Sequence, residues 1–201
     1  MNTTPFYLNQ RGFTLAEVMV AAASASIVMV GLIAVYLATT KISASGLSQL
    51  AVQAKARHGL DAILYDVRRS QSAIIYSTYL GDATFTGNTN SDAGAYMIFN
   101  IPTNTIAVGD QQYHHYYVGN LRDLGNGVTN GTLYYFNCAS DTNIATKSAD
   151  VEVVRGVTNP DRVFDWINGV VNINIRVADE NDVDGKQIIY LRSAVAFRNG
   201  D

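Results

Sequence analysis

From Val18 to Thr40 the chain carries no Asp, Glu, Lys, Arg, His or Pro. A helix needs about 20 mostly apolar residues to cross a bilayer core of about 30 Å, and this run meets that length. A secretory signal would show a shorter apolar core of about 7–15 residues followed by a small-residue cleavage site, so the run is too long to be one. Its Ala- and Ser-rich start (Ala21, Ala22, Ala23, Ser24, Ala25, Ser26) makes it only moderately hydrophobic. Small residues permit close helix–helix approach in membranes. Glu17 stands directly before the run, with Gly12 and Arg11 a few residues earlier. A carboxylate in that place is costly in hydrocarbon unless something pairs with it.

The junction reads Gly12-Phe13-Thr14-Leu15-Ala16-Glu17. It resembles the cleavage and methylation site of type IV pilins and of the pseudopilins of type II secretion. Those families have a short leader, a Gly, usually a Phe, and a Glu as fifth residue of the mature chain, followed by an apolar helix. The resemblance implies that a membrane prepilin peptidase cuts between Gly12 and Phe13, that Phe13 becomes an N-methylated N-terminus, and that Glu17 acts in assembly. In detail it covers only about the first 40 residues. It also implies a pilin-like α+β fold, in which a long N-terminal helix packs on an antiparallel β-sheet domain.

The residues themselves agree with that implication. The leader, residues 1–12, has Arg11 as its one charge and no apolar run, and its positive charge favours a cytoplasmic N-terminus. Cleavage after Gly12 would place an ammonium on Phe13 near the membrane face. A buried ammonium and a buried carboxylate each cost several kcal/mol, and pairing recovers part of this. In a filament with a core of such helices, Glu17 of one subunit could meet the Phe13 amine of its neighbour and fix the axial register. The simpler alternative is a solvated carboxylate at a helix start, favoured by the macrodipole.

With 201 residues there is room for one soluble domain beyond the anchor. Charged residues are only 15% and the net charge is -3, so neither a strongly basic nucleic-acid binder nor an acidic tail is indicated. Cys138 is the single cysteine, which excludes an intramolecular disulfide. Many major pilins close a C-terminal loop with a disulfide and carry a Pro in the membrane helix. Both are missing here, which points to a pseudopilin or minor pilin. Cys138 sits in a strand-like run and reads as a buried, inert thiol.

The helix is expected to continue past Lys41. Leu47, Leu50 and Ala54, then Leu60, Ile63/Leu64, Val67 and Ile74, recur at helical spacing. Polar residues between them, including Gln53, Lys55, Arg57, Asp61, Asp66, Arg68 and Arg69, complete an amphipathic helix with one face for a sheet. Gly46 and Gly59 weaken it locally. The expected organisation is a leader at 1–12, a transmembrane and assembly helix at 13–40, an amphipathic continuation at 41–76 and a periplasmic β-rich domain at 77–201. Residues 77–93 read as a loop. Strands are expected at 96–101, 112–118, 132–137, 151–154 and 163–167. The alternating segment 170–178 and its hairpin partner 187–198 complete the set.

Two further stretches are similar to minor pilins of the PilW type and to the J-type pseudopilin: Ala56 to Ser70 with their post-membrane helix, and Leu191 to Asn199 with their closing strand. They imply a subunit that initiates or caps a type IV pilus or a type II secretion pseudopilus, used for motility, adhesion, DNA uptake or protein secretion. The implied setting is the bacterial inner membrane, single-pass with a cytoplasmic N-terminus and a periplasmic C-terminal domain, and later the filament or cell surface. The implied partners are the prepilin peptidase, other minor subunits and the major subunit.

No catalytic set is legible: the serines lack a His/Asp context, and there is no phosphate-cradling glycine loop. No cofactor is implied. His114 and His115 are adjacent, so on a strand they face opposite ways and cannot easily share a metal. With Tyr113, Tyr116 and Tyr117 they form an aromatic strand that, if exposed, suits a partner interface. Glu180, Asp182, Asp184 and Gly185 have the composition of half a Ca²⁺ loop, and some pseudopilins bind Ca²⁺. The closing carboxylate position falls on Leu191, and Asp184-Gly185 is a turn signal, so a solvated hairpin turn is the expectation. A tip subunit that captures DNA or a surface ligand is the alternative function. Basic residues interleaved with aromatics on one face would favour it. Arg122, Lys147, Arg155 and Arg162 are scattered along the chain and give nucleic-acid binding little support.

Overall fold

A computed structural model describes residues 12–79, 91–102, 111–123, 129–141, 144–145, 147–178 and 188–196. The expected leader up to Arg11, the Ca²⁺ candidates Asp182 and Asp184, and the terminal Arg198-Asn199 lie outside the described residues. The chain divides into two compact units, 1–47 and 48–201.

One helix, α1 (Leu15–Arg69), is the only helix among the described residues. In the first unit its side chains are exposed along the whole apolar run. In the second unit Ala56, Gly59, Leu60, Ile63, Asp66 and Val67 are buried, a three-and-four spacing that marks one face. The sequence expectation is corrected at both ends of this amphipathic stretch. Leu47 and Leu50 are 68% and 63% exposed and Ala54 is exposed, so the packed face starts only near Val52 and Ala56. The helix stops at Arg69 rather than running to residue 76. Ser70 closes it, its amide donating to Asp66 O at 2.9 Å and its hydroxyl to Val67 O at 2.8 Å. The β-branched Ile74 and Ile75, which suit strands, then fall in β1 (Ser72–Tyr76).

Eight further strands follow: β2 (Ala93–Gly94), β3 (Tyr96–Pro102), β4 (Gln111–Asp123), β5 (Thr129–Cys138), β6 (Val151–Val157), β7 (Phe164–Ile167), β8 (Val170–Ala178) and β9 (Ile188–Ala196). They form one nine-stranded sheet in the order β1-β3-β4-β5-β6-β8-β7-β2, with β9 paired on β8. The assigned pairings are antiparallel. The expected β8–β9 hairpin is present, in register from Val170↔Ala196 to Ala178↔Ile188. Between β7 and β8, Asn168 (φ 53°) and Gly169 (φ 79°) make a two-residue turn with both φ positive. Asn-Gly is the preferred pair for such a type I′ turn, a signal present in the sequence.

The sheet buries side chains on both faces. One core joins Ala56, Leu60, Ile63 and Val67 of α1 to Met97, Phe99, Tyr116, Leu133, Val154, Phe164 and Ile173. The other gathers Tyr76, Tyr96, Ile98, Tyr117, Phe136, Cys138 and Ile144. The α+β, pilin-like architecture expected from the sequence is therefore observed.

Candidate functional site

At the start of α1, Thr14 is the capping residue: its carbonyl accepts the first helical bond, from Val18 N at 3.2 Å. Its hydroxyl oxygen is 3.3 Å from the Glu17 amide, and Glu17 Oε2 accepts from the Thr14 amide at 2.9 Å. The Thr14 hydroxyl also reaches Glu17 Oε2 at 3.0 Å. This reciprocal arrangement is a capping box, whose signature is Ser or Thr followed three residues later by Glu or Gln. Thr14-Leu15-Ala16-Glu17 carries that signature, which the sequence reading passed over. Within the single chain, then, the Glu17 carboxylate is held by the first turn of its own helix.

Beside it, Phe13 is 86% exposed, and a Cβ built on Gly12 would meet nothing within 4 Å. Local packing therefore asks for neither a glycine nor a phenylalanine here. The serine and threonine hydroxyls of the following run bond back to their own helix: Ser24 to Ala21 O at 3.0 Å, Ser26 to Ala22 O at 2.8 Å, Thr39 to Val35 O at 2.8 Å and Thr40 to Leu37 O at 2.9 Å. A polar group bonded back to its own helix can enter hydrocarbon at far lower cost than an unpaired one. Among the described residues α1 is the one helix long and apolar enough to cross a membrane.

Of the aromatic strand β4, expected to suit a partner interface if exposed, Tyr116 and Tyr117 are buried. The strand lies between β3 and β5, so both its edges are paired, and Tyr116 and Tyr117 are 3% and 8% exposed. Tyr113 and His114 are only half-buried. The two histidines do face opposite ways. His114 Nδ1 lies 2.7 Å from Asp66 Oδ2, and the Tyr116 hydroxyl donates to the same oxygen at 2.7 Å. Asp66, expected on the polar side of the helix, is thus buried and ties α1 to β4. His115 is enclosed on the other face, stacked on Phe136 with ring centroids 4.4 Å apart, its Nδ1 2.6 Å from the Tyr96 hydroxyl. Burial pushes the His115 imidazole down to about 3 and the Tyr96 phenol far up, so the phenol donates to a neutral ring. Cys138 is buried, as expected. Among the described residues no group of three His, Cys, Asp or Glu side chains converges as metal ligands would.

Residues 7–36 match the family model described as the prokaryotic N-terminal methylation motif. The match spans Gly12, Phe13, the capping box and most of the apolar run, as far as Tyr36. It supports a type IV pilin-like protein. More particularly, it supports a pilin or pseudopilin subunit, processed by a prepilin peptidase and anchored in a membrane by the helix. Comparison of the chain with curated proteins and with solved structures gave no match.

Proposed function

We propose that the chain is a minor pilin or pseudopilin, a structural subunit rather than an enzyme, that initiates or caps a type IV pilus or a type II secretion pseudopilus. One observation carries this reading. A carboxylate held in a helix cap stands at the head of an exposed apolar helix, inside the matched methylation motif. In this reading Gly12 and Phe13 are required by the peptidase, in keeping with the lack of any local packing demand on either. Cleavage frees the Phe13 amine for methylation. Glu17 exchanges its cap for the Phe13 amine of a neighbouring subunit, and the exposed apolar surface is covered first by lipid and then by neighbouring helices. A subunit in the wrong register would leave a buried charge unpaired, at a cost of several kcal/mol. The minor assignment is supported by the single cysteine and by the absence of Pro from the apolar run. The domain that follows the anchor would lie in the periplasm.

The test is the N-terminal residue and mass of the protein from its native membrane, with filament assembly compared between wild type and Glu17→Ala. A methylated Phe13 start with assembly lost in the variant is expected. An intact Met1, or a variant that assembles normally, overturns the reading.

A further inference from the structure

The arginines of the C-terminal half are separated in sequence, yet the sheet gathers three of them. Arg162, Arg176 and Arg192 line one groove with Tyr190, Asp165, Asn159 and Asn174, enclosing a volume of about 520 Å³. The β8–β9 register produces it, because Asn174 faces Arg192 and Arg176 faces Tyr190 across the hairpin. Alternation then puts residues 174, 176, 190 and 192 on one side of the sheet.

The floor of this groove is fixed. Asn159 Nδ2 donates to Arg162 O at 3.0 Å and to Asn174 O at 2.8 Å, while its Oδ1 accepts from Arg176 N at 2.9 Å. Asp165 accepts from Arg162 Nε at 2.8 Å and from Asn174 Nδ2 at 3.2 Å. That pairing offsets one of the cations. Among the described residues no carboxylate is paired with Arg176 or Arg192. Arg176 lies over the Tyr190 ring, its Cζ 5.4 Å from the centroid, which restrains the side chain. Stacking of this kind leaves the in-plane N–H donors of a guanidinium available.

Arg176 and Arg192 lie diagonally across the β8–β9 pair, so an anion seated between them is attracted by both charges. Guanidinium forks match carboxylate and phosphate oxygens in two-point contacts. The Tyr190 ring, 66% exposed, offers an apolar platform with a polar tip beside the cations. The volume falls in the range of about 300–1,000 Å³ usual for small-ligand sites. A long polyanion would need a basic track beyond the groove. Lys147 and Arg155 are instead paired with Asp150 and Glu152, and Arg122 is on β4.

We propose that this groove binds a small sugar-borne oxyanion, a carboxylate or a phosphate, through Arg176 and Arg192 with the sugar ring against Tyr190. The site is formed by β7, β8, β9 and the turn before β7, all within the second unit, so it stands independently of the filament reading.

The test is calorimetric titration of the full chain in uncharged detergent micelles with glucuronate, glucose 6-phosphate, inorganic phosphate, single-stranded DNA of two lengths and, as neutral control, glucose. At least one of the two acidic sugars is expected to bind saturably and about tenfold or more tighter than glucose. Glucuronate and glucose 6-phosphate separate the carboxylate from the phosphate source, and inorganic phosphate measures the oxyanion without its sugar. Arg176→Gln and Arg192→Gln should each weaken binding about fivefold or more, while Arg122→Gln leaves it unchanged. Both groove arginines are exposed, so their variants should melt as wild type does, and the melts check that they fold. Equal binding of glucose, no binding of either acidic sugar, inorganic phosphate binding as tightly as both, or groove variants that bind like wild type overturns the proposal. So does binding of single-stranded DNA alone, with affinity rising with length. Because the titration reads no assembly, its failure leaves the filament reading intact, and failed assembly leaves the groove intact.

Discussion

Asp66 Oδ2 and the Tyr116 hydroxyl stand 2.7 Å apart, a buried hydrogen bond between α1 and the middle of the sheet. His114 shares the same carboxylate oxygen, and Tyr135 approaches His114 Nδ1 at 3.3 Å. Removing the acceptor strands the Tyr116 donor inside the core. Asp66→Ala should therefore destabilise the domain by about 3 kcal/mol or more, and Tyr116→Phe by about half as much. Denaturant unfolding of the two single variants and the double variant checks this, since a shared bond makes their costs less than additive. Strict additivity would mean that this bond contributes nothing of its own.

His115 sets an acid limit. Its folded value lies near 3, below the ordinary 6.5, chiefly because burial disfavours the charged ring. A group depressed on folding contributes stability that is fully present above its unfolded value and lost as pH falls toward its folded value. Stability should thus be level above about pH 6.5 and decline toward pH 3, by at most about 1.4 kcal/mol per pH unit from this residue. His115→Phe keeps a ring on Phe136 but removes the hydrogen bond between His115 Nδ1 and the Tyr96 hydroxyl, so it should be less stable near neutrality. Its decline between pH 6.5 and 4 should also be shallower. Unfolding curves at a series of pH values decide, and parallel profiles would refute the assignment.

Gly59 and Gly46 make opposite predictions from the same residue type in the same helix. A Cβ on Gly59 would run into Val154 Cγ2 and lie 2.9 Å from Val153 Cγ1, so α1 approaches β6 too closely there for a side chain. Gly59→Ala should cost about 1–3 kcal/mol through overpacking, although alanine favours helix. A Cβ on Gly46 meets nothing within 4 Å, so Gly46→Ala should strengthen the helix by up to about 1 kcal/mol. Thermal melts and helical circular dichroism of both variants test the contrast.

The capping box allows charge and cap to be separated. Glu17→Gln can still accept from the Thr14 amide, because Gln serves in a capping box, but it cannot neutralise an ammonium. Thr14→Ala loses the hydroxyl half of the cap, at about 1 kcal/mol of helix stability, and keeps the charge. If assembly depends on an ion pair, Glu17→Gln should fail to form filaments while Thr14→Ala forms them at reduced yield. The reverse ranking would assign Glu17 to the cap alone.

Patterns that repeat over a few residues were legible before the fold was known. The apolar run, the alternation of Val171, Ile173, Ile175 and Val177, and the opposite facing of His114 and His115 follow from helical and strand periods alone. The buried thiol of Cys138 also matched expectation. Misreadings arose where a residue's surroundings come from distant chain. Ile74 continued a helical spacing, yet β1 pairs it with Ile98 of β3. Leu47 and Leu50 fit an amphipathic stripe, but no buried face of the second unit includes them.

By itself the sequence determined the apolar run, its Glu17 head and most of the strand set, because each depends on neighbours within one or two turns of chain. The capping signature of Thr14 and Glu17 is equally local but was recognised only from its hydrogen bonds. Tertiary structure alone decided that the Tyr-rich strand is interior and that Asp66 meets His114 across 48 residues. It alone brought Arg162, Arg176, Arg192 and Tyr190 into one groove. Strand order and register are set by which pairing buries the most apolar surface while satisfying backbone hydrogen bonds over the whole sheet, and no local window of residues carries that sum.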